Sequence, residues 1–514
     1  MRLESLSTMK RPIGLWIFAA LAVFAAEPAT TVPKRVAIPA PPRPNPAKLR
    51  RTLMDLLACV TNGLAGAHFG IDVIQLSTGK TLAQYNSQNQ FGSASNAKLY
   101  STATALVRLG PDYRYETRVS AAVAPDADGR LAGDLYFIGG GDPTLASRTY
   151  PLGQGQPPGQ HLRDIEALAD QVVAFGVKRI DGAVIGDDTA YPKDLYPTGW
   201  TVDDSTFDYG APVSALTIHD NLLTVRLSAP LAAGALTSVT LDPPLEYFTI
   251  DNRVTSGSDT KVRIERTPGS RQLLLSGTVA AGATFWDGVA IDDPARYAAT
   301  ALADALERRG VSIRNGIATR SRGVEETPDA LNAPVVLAKR VSGPLPTILQ
   351  VIDKISHNLY AELVLREVGR SVNGAGTRQA GITEVYKLLW EAGVRTECCY
   401  FQDGSGLSRQ TLISPLSAAK LLEYMYHSKY RDTWWTLLPI GGVDGTLGKH
   451  FDKNPEAKRI RAKTGSIAHV ATMSGYVEST TWGPLAFSVL INNYNSETAE
   501  ATLLLDKLAL ALLE

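Results

Sequence analysis

Three short elements hold side chains suited to covalent chemistry: Ser95-Asn96-Ala97-Lys98, Ser356-His357-Asn358 and Lys463-Thr464-Gly465. Residues i and i+3 of a helix lie on one face with Cβ atoms about 5–6 Å apart, so Lys98 can reach the Ser95 hydroxyl. A serine is a weak nucleophile until an adjacent base takes its proton. A lysine with the usual pKa near 10.4 is protonated at neutral pH, and bringing it to about 7 takes roughly 4–5 kcal/mol at 1.36 kcal/mol per unit. Burial and a second cation supply shifts of that kind, and Lys463 is the candidate cation. A helix N-terminus at Ser95 would add positive potential where an oxyanion forms.

Each element must be weighed against chance. Ser-x-x-Lys starts at Ser7, Ser77, Ser95, Ser258 and Ser417, and Ser-x-Asn at Ser87, Ser356 and Ser371, whereas Lys-Thr-Gly is found once. Alone, Ser95 reads as an ordinary helix N-cap and Lys98 as a solvated helix residue. Context separates the copies, because only Ser95 opens a helix that follows a hairpin and has the other two elements downstream in order. No His-Glu-x-x-His, Walker loop or Gly-x-Ser-x-Gly elbow is present. Ser356 and His357 are adjacent and would not face each other on a helix. His68, His161, His219, His357, His427, His450 and His469 show no ligand spacing, so neither a metal nor a cofactor is expected. Gly139-Gly140-Gly141-Asp142 lacks the Lys-Ser/Thr of a phosphate loop and reads as a tight turn.

The elements that must position these groups follow from periodicity. Leu49, Leu53, Leu56, Leu57 and Val60 recur at helical spacing, Phe69 to Ser87 reads as a hairpin, and Ser95 to Leu109 as a helix stopped by Gly110-Pro111. Near the C-terminus, residues 459–465, 470–478 and 485–493 read as strands and 497–513 as a helix. Arg340 to Arg370 and Ser414 to Lys429 read as helical. The expected fold class is α/β (α+β), a sandwich with an antiparallel sheet, formed by the discontinuous segments 49–115 and 335–514. Residues 116–334 are strand-rich and read as an insertion, two nested domains with the inner one at about 221–292.

The chain of 514 residues has 51 Lys+Arg and 51 Asp+Glu, which excludes a basic nucleic-acid binder. Arg2, Lys10 and Arg11 precede the uncharged run Ile13 to Ala26, too short to span a bilayer comfortably, so residues 1–25 read as a cleaved signal peptide. The expected location is periplasmic or secreted, with no integral membrane segment in the mature chain. Residues 26–48, rich in Pro, read as an extended linker. Cys59, Cys398 and Cys399 allow at most one ordinary disulfide, and the pairing stays open.

With the three elements go GGGDPTL (139–145), YGAPVSALTIHDN (209–221) and DGSGLSR (403–409). Together they resemble the penicillin-binding D-alanyl-D-alanine carboxypeptidases and endopeptidases of the low-molecular-mass class C type, which carry a large insertion after Ser-x-x-Lys. The resemblance implies a β-lactamase/transpeptidase-like sandwich and a serine DD-peptidase acting on peptidoglycan stem peptides. In that family Ser95 would attack the penultimate D-alanine carbonyl and Lys98 would take its proton. Ser356 would relay a proton toward the leaving amine beside Lys463. Asn358 would hold the substrate amide, Lys463 and Thr464 the terminal carboxylate, and the amides of Ser95 and Ser466, after Gly465, the oxyanion. β-Lactams would acylate Ser95. An acidic residue of the insertion can meet a diaminopimelate amine there, with Asp187 or Asp188 as candidates, although a plain turn carboxylate fits both equally. His357 stands where relatives commonly carry Asp. A β-lactamase or esterase on the same fold and a non-catalytic peptidoglycan-binding scaffold are the alternatives.

Overall fold

A computed structural model describes residues 45–60, 63–146, 161–327 and 331–514. The expected signal peptide and all but the end of the expected linker lie outside the described residues. The linker ends earlier than expected. Asn45 accepts a hydrogen bond from the Ala47 amide at 3.0 Å, and the helix Pro46–Ala58 starts with proline in its first turn, where a missing amide donor costs nothing.

The central sheet has five antiparallel strands in the order Lys80–Tyr85, His68–Gln75, Gly483–Asn492, Val470–Ser479 and Ile460–Ile467. Its middle strand comes from near the end of the chain and is buried on both faces, so it reads as an almost continuous apolar run. Leu485, Phe487, Val489 and Ile491 pack with the helices Pro46–Ala58 and Thr498–Ala511 through Leu53, Leu505 and Leu508. Ala486 and Leu490 face the other way, into a core shared with Leu99, Leu349, Val364 and Leu421. That second core holds the helices Ala97–Leu109, Leu345–Lys354, Asn358–Asn373, Arg378–Glu391 and Pro415–His427. The strand Ile460–Ile467 is left at the sheet edge, beside the short turn Ala94–Asn96. Among the described residues no helix is long and apolar enough to cross a membrane. All three cysteines are free.

The intervening region is strand-rich but not all-β. One mixed five-stranded sheet runs in the order Ile317–Arg320, Val184–Asp187, Leu135–Ile138, Glu116–Ala121 and Val335–Val341. The last strand pairs antiparallel with Glu116–Ala121, so the inserted sheet extends past the expected boundary at 334, and the expected helical stretch from Arg340 starts only at Leu345. Two helices, Arg163–Ala174 and Pro294–Glu307, cover the sheet. The second has a legible start, with Asp293 accepting from the Arg296 amide at 3.1 Å and Pro294 following it. Strands between Leu222 and Ala290 build two smaller sheets around a separate core of Val225, Leu227, Leu273, Leu275 and Val289.

Asp72 sits in the strand His68–Gln75 with no solvent exposure. Burial pushes its carboxyl up to about 7, against the opposing pull of Lys420. The folded chain thus holds a proton at Asp72 between about pH 4 and 7 that the unfolded chain releases. Stability from this group is present at the acidic side of that window and is lost as pH rises through about 7. Asp72→Asn is expected to stabilise the fold relative to the wild type at pH 8.5, by on the order of 4 kcal/mol, with a raised Tm, and to lose most of that advantage at pH 5, as scanning calorimetry at the two pH values would measure.

Candidate active site

Ser95 lies in the 3-10 turn Ala94–Asn96 that leads into the helix Ala97–Leu109, rather than in the helix itself. The tighter winding brings i and i+3 nearer to eclipse, which suits a serine–lysine contact. Lys98 Nζ lies 2.9 Å from Ser95 Oγ, 2.6 Å from Asn358 Oδ1 and 2.7 Å from the Ser405 carbonyl oxygen. The latter two oxygens only accept hydrogen bonds. A neutral amine has two hydrogens and one lone pair. With both hydrogens given to Asn358 and Ser405, the lone pair is left for the Ser95 hydroxyl. Burial drives the Lys98 ammonium well below the usual lysine range, and the Lys463 charge acts in the same direction, while Asp403, Glu362 and Asp353 pull it back. Lys98 therefore has both the orientation and the depressed basicity required of a general base.

Ser356 is in the break between Leu345–Lys354 and Asn358–Asn373, with φ at 63°, a left-handed conformation unusual for a non-glycine residue. Its hydroxyl accepts from Lys463 Nζ at 2.9 Å, and Lys463 also donates to the Thr464 carbonyl at 2.6 Å. Lys463 is fully buried, and burial lowers its pKa against the opposing charge of Asp353. The Asn358 amide group donates to the Tyr209 carbonyl at 2.8 Å, tying the second motif to the inserted region. The Thr464 hydroxyl donates to Thr446 Oγ1 at 2.7 Å.

A 330 Å³ cleft opens over these groups, lined by Ser95, Asn358, Ser466, Asp204, Tyr209 and Arg409 among others. Ser95, Lys98, Ser356, Asn358, Lys463 and Thr464 thus converge, and Ser466 stands at the rim. Asp187 and Asp188 do not join them. Asp187 pairs with Arg320 at 2.7 Å, and Asp188 accepts from Ser214 at 2.8 Å, both carboxylates buried in the inserted region. Their expected contact with substrate is replaced by these internal partners. The insertion carboxylate that does line the cleft is Asp204. The YGAPVSALTIHDN and DGSGLSR segments pointed to Tyr209, Ser405 and Arg409 without assigning them roles. Thr446 and Asp204 lacked any motif, because only the fold brings Thr446 against Thr464 and Asp204 to the cleft.

The edge strand comes close to the serine turn because Gly465 has no side chain. The Asn96 side chain donates to the Lys463 carbonyl at 3.1 Å and to Thr472 Oγ1 at 2.7 Å, stitching turn to strand. A Cβ at Gly465 would meet Thr472 Oγ1 and lie 2.7 Å from the Ser95 amide nitrogen. Gly465→Ala is expected to push strand and turn apart and slow acylation of Ser95 about tenfold or more, since small displacements of reacting groups carry such penalties. Stopped-flow or quenched labelling with a fluorescent penicillin would measure the rate.

The model of the D-Ala-D-Ala carboxypeptidase 3 (S13) family matches residues 51–510. A D-alanyl-D-alanine carboxypeptidase of Actinomadura sp. (strain R39) is 32% identical over 446 residues, covering 84% of this chain and 79% of that protein. The D-alanyl-D-alanine carboxypeptidase DacB of Haemophilus influenzae is 24% identical over 446 residues, covering 85% and 88% of the two chains. The crystal structure of penicillin binding protein 4 (dacB) from Haemophilus influenzae shares the fold with a TM-score of 0.77 at 23% identity, covering 90% of this chain and 99% of that one. The match over most of the chain, together with the serine–lysine contact and the edge-strand lysine, leads to one conclusion: the chain belongs to the D-Ala-D-Ala carboxypeptidase 3 (S13) family of serine peptidases.

Proposed function

We propose that the chain hydrolyses the terminal D-Ala-D-Ala bond of peptidoglycan stem peptides through a Ser95 acyl-enzyme, and that β-lactams form the same ester. The observation that carries this reading is the 2.9 Å contact between Lys98 Nζ and Ser95 Oγ, with the other two partners of the amine restricted to accepting. Ser95 Oγ attacks the penultimate carbonyl as Lys98 takes its proton. The amides of Ser95 and Ser466 receive the oxyanion, and Ser356, hydrogen-bonded to Lys463, passes a proton to the departing D-alanine amine. Lys463 and Thr464, the latter held by Thr446, bind the terminal carboxylate. Asn358 orients the substrate amide. Water then releases the acyl group. The cleft also admits D-Ala-diaminopimelate cross-links as substrates, with Asp204 meeting the side-chain ammonium in place of the buried Asp187 and Asp188. The inserted region is read as two nested domains that complete the cleft. Such substrates lie outside the cytoplasmic membrane, which fits a cleaved signal peptide and a periplasmic or secreted enzyme.

A labelled penicillin is expected to modify the wild type on Ser95, identified by peptide mass analysis, and to leave Ser95→Ala unmodified; no adduct on the folded wild type would sink the reading. An adduct that turns over within seconds would identify a β-lactamase instead. Asp204→Asn should raise KM for stem peptides carrying diaminopimelate about tenfold while changing it little for peptides with an uncharged side chain at that position, as expected for one lost charge pair. Digestion of purified muropeptides followed by mass analysis would divide carboxypeptidase from endopeptidase products.

A further inference from the structure

Glu362 follows Asn358 by one turn of the helix Asn358–Asn373 and is completely buried. It touches neither the Ser95 hydroxyl nor the cleft. One of its oxygens accepts from the Gly404 amide at 2.8 Å and the Ser405 amide at 2.9 Å. Its other oxygen accepts from Arg366 Nη1 at 3.1 Å, and Arg366 in turn donates to the Asp194 carbonyl at 2.9 Å and pairs with the Asp194 carboxylate at 3.3 Å. The Gly404 carbonyl accepts from Ser101 Oγ at 2.7 Å. The peptide unit between Gly404 and Ser405 is thus gripped at its N–H by Glu362 and at its C=O by the serine helix. The Ser405 hydroxyl donates to Asp403 at 2.9 Å, which fixes the residue's own orientation. The next carbonyl along, that of Ser405, is the acceptor for Lys98.

We propose that Glu362 is a positioning residue for acylation: by holding the 404–405 amides it aims the Ser405 carbonyl at one hydrogen of the Lys98 amine, which turns the lone pair onto Ser95 Oγ. Asn358 takes the other hydrogen from the same helix face, so one helical turn sets both acceptors. Burying a carboxylate and a guanidinium side by side is costly unless geometry is demanded of them, and here the pair links the base to the inserted region through Asp194. Lys98 is faced by Lys463 from the edge strand, Asp353 from the helix Leu345–Lys354, Asp403 from the turn and Glu362 from its own helix. Burial and the Asp403 charge push the Glu362 carboxyl itself up to about 7, against the pull of Arg366 and the two amides. Where it is ionised its charge raises the Lys98 pKa, so removing it lowers that pKa further.

The inference rests on the serine-peptidase reading, and the experiment separates the two. Acylation by a labelled penicillin is followed against pH for the wild type, Glu362→Gln, Glu362→Ala and Glu367→Gln. Glu367 is an equally buried carboxylate on the same helix, held by Tyr191 and Arg370, and serves as the control for burial alone. Glu362→Gln keeps an acceptor for both amides but not the charge, and its acid limb should move to lower pH. Glu362→Ala loses the grip as well, and kcat for a D-Ala-D-Ala peptide should fall about tenfold to a hundredfold with KM unchanged. Glu367→Gln should lower Tm without moving the acid limb. Wild-type acylation with an unmoved limb in Glu362→Gln, an equal shift in Glu367→Gln, or an Ala variant that loses only KM would overturn the proposal. Where Glu362→Ala does not accumulate folded, the limb of Glu362→Gln decides. Absence of wild-type acylation would instead overturn the serine-peptidase reading and the proposal with it.

Discussion

A buried amine set between two oxygens that can only accept and one hydroxyl that can also donate is the constraint on which this protein is built. Lys98 is fully buried, and its desolvation is the largest influence on its basicity. A cation in such a place is expensive, and the surrounding carboxylates of Asp353, Glu362 and Asp403 offset only part of that expense. The molecule accepts the loss of stability because the same burial makes lysine a usable base. The left-handed backbone at Ala94 and at Ser356 belongs to the same bargain, since both lie next to groups whose aim matters more than their comfort.

Three separate parts of the chain enforce that geometry. The serine turn comes from the N-terminal part, the acceptors on Asn358 and Ser405 from the helical middle, and Lys463 from the edge strand near the end. The inserted region adds Tyr209 behind Asn358 and Asp194 behind Arg366. It is therefore joined by hydrogen bonds to Asn358 and Arg366 beside the Ser95–Lys98 pair and is not a remote appendage.

Much of this was legible in the sequence, for identifiable reasons. The hairpin, the three late strands and the last helix announce themselves because a sheet covered on both faces needs long apolar runs with clear turns. Ser95, Lys98, Ser356, Asn358 and Lys463 were legible as an ordered set, since chance rarely reproduces three elements in order. The helices Arg163–Ala174 and Pro294–Glu307 were hidden by the abundant glycine and β-branched residues around them, although Asp293-Pro294 carried a start signal. The strand Val335–Val341 was misplaced because its partner, Glu116–Ala121, is more than two hundred residues away. Asp187 and Asp188 misled for a related reason: a GDD turn looks exposed in one dimension, and only the fold brings Arg320 and Ser214 against it. Asp204 and Thr446 had no local signature at all.

The order of strands in the central sheet has a temporal consequence. The strand Gly483–Asn492 lies between His68–Gln75 and Val470–Ser479, and the strand bearing Lys463 hangs from the latter. The first strand to be made pairs at once with Lys80–Tyr85 but waits for the last strand before it gains its second neighbour. Until more than about nine-tenths of the polypeptide has emerged, the serine turn and the edge-strand lysine have no shared scaffold, and contacts of such long sequence separation form slowly. A chain stopped before that strand accordingly holds Ser95 and Lys463 on no common sheet, and the cleft between them is completed among the last events of assembly.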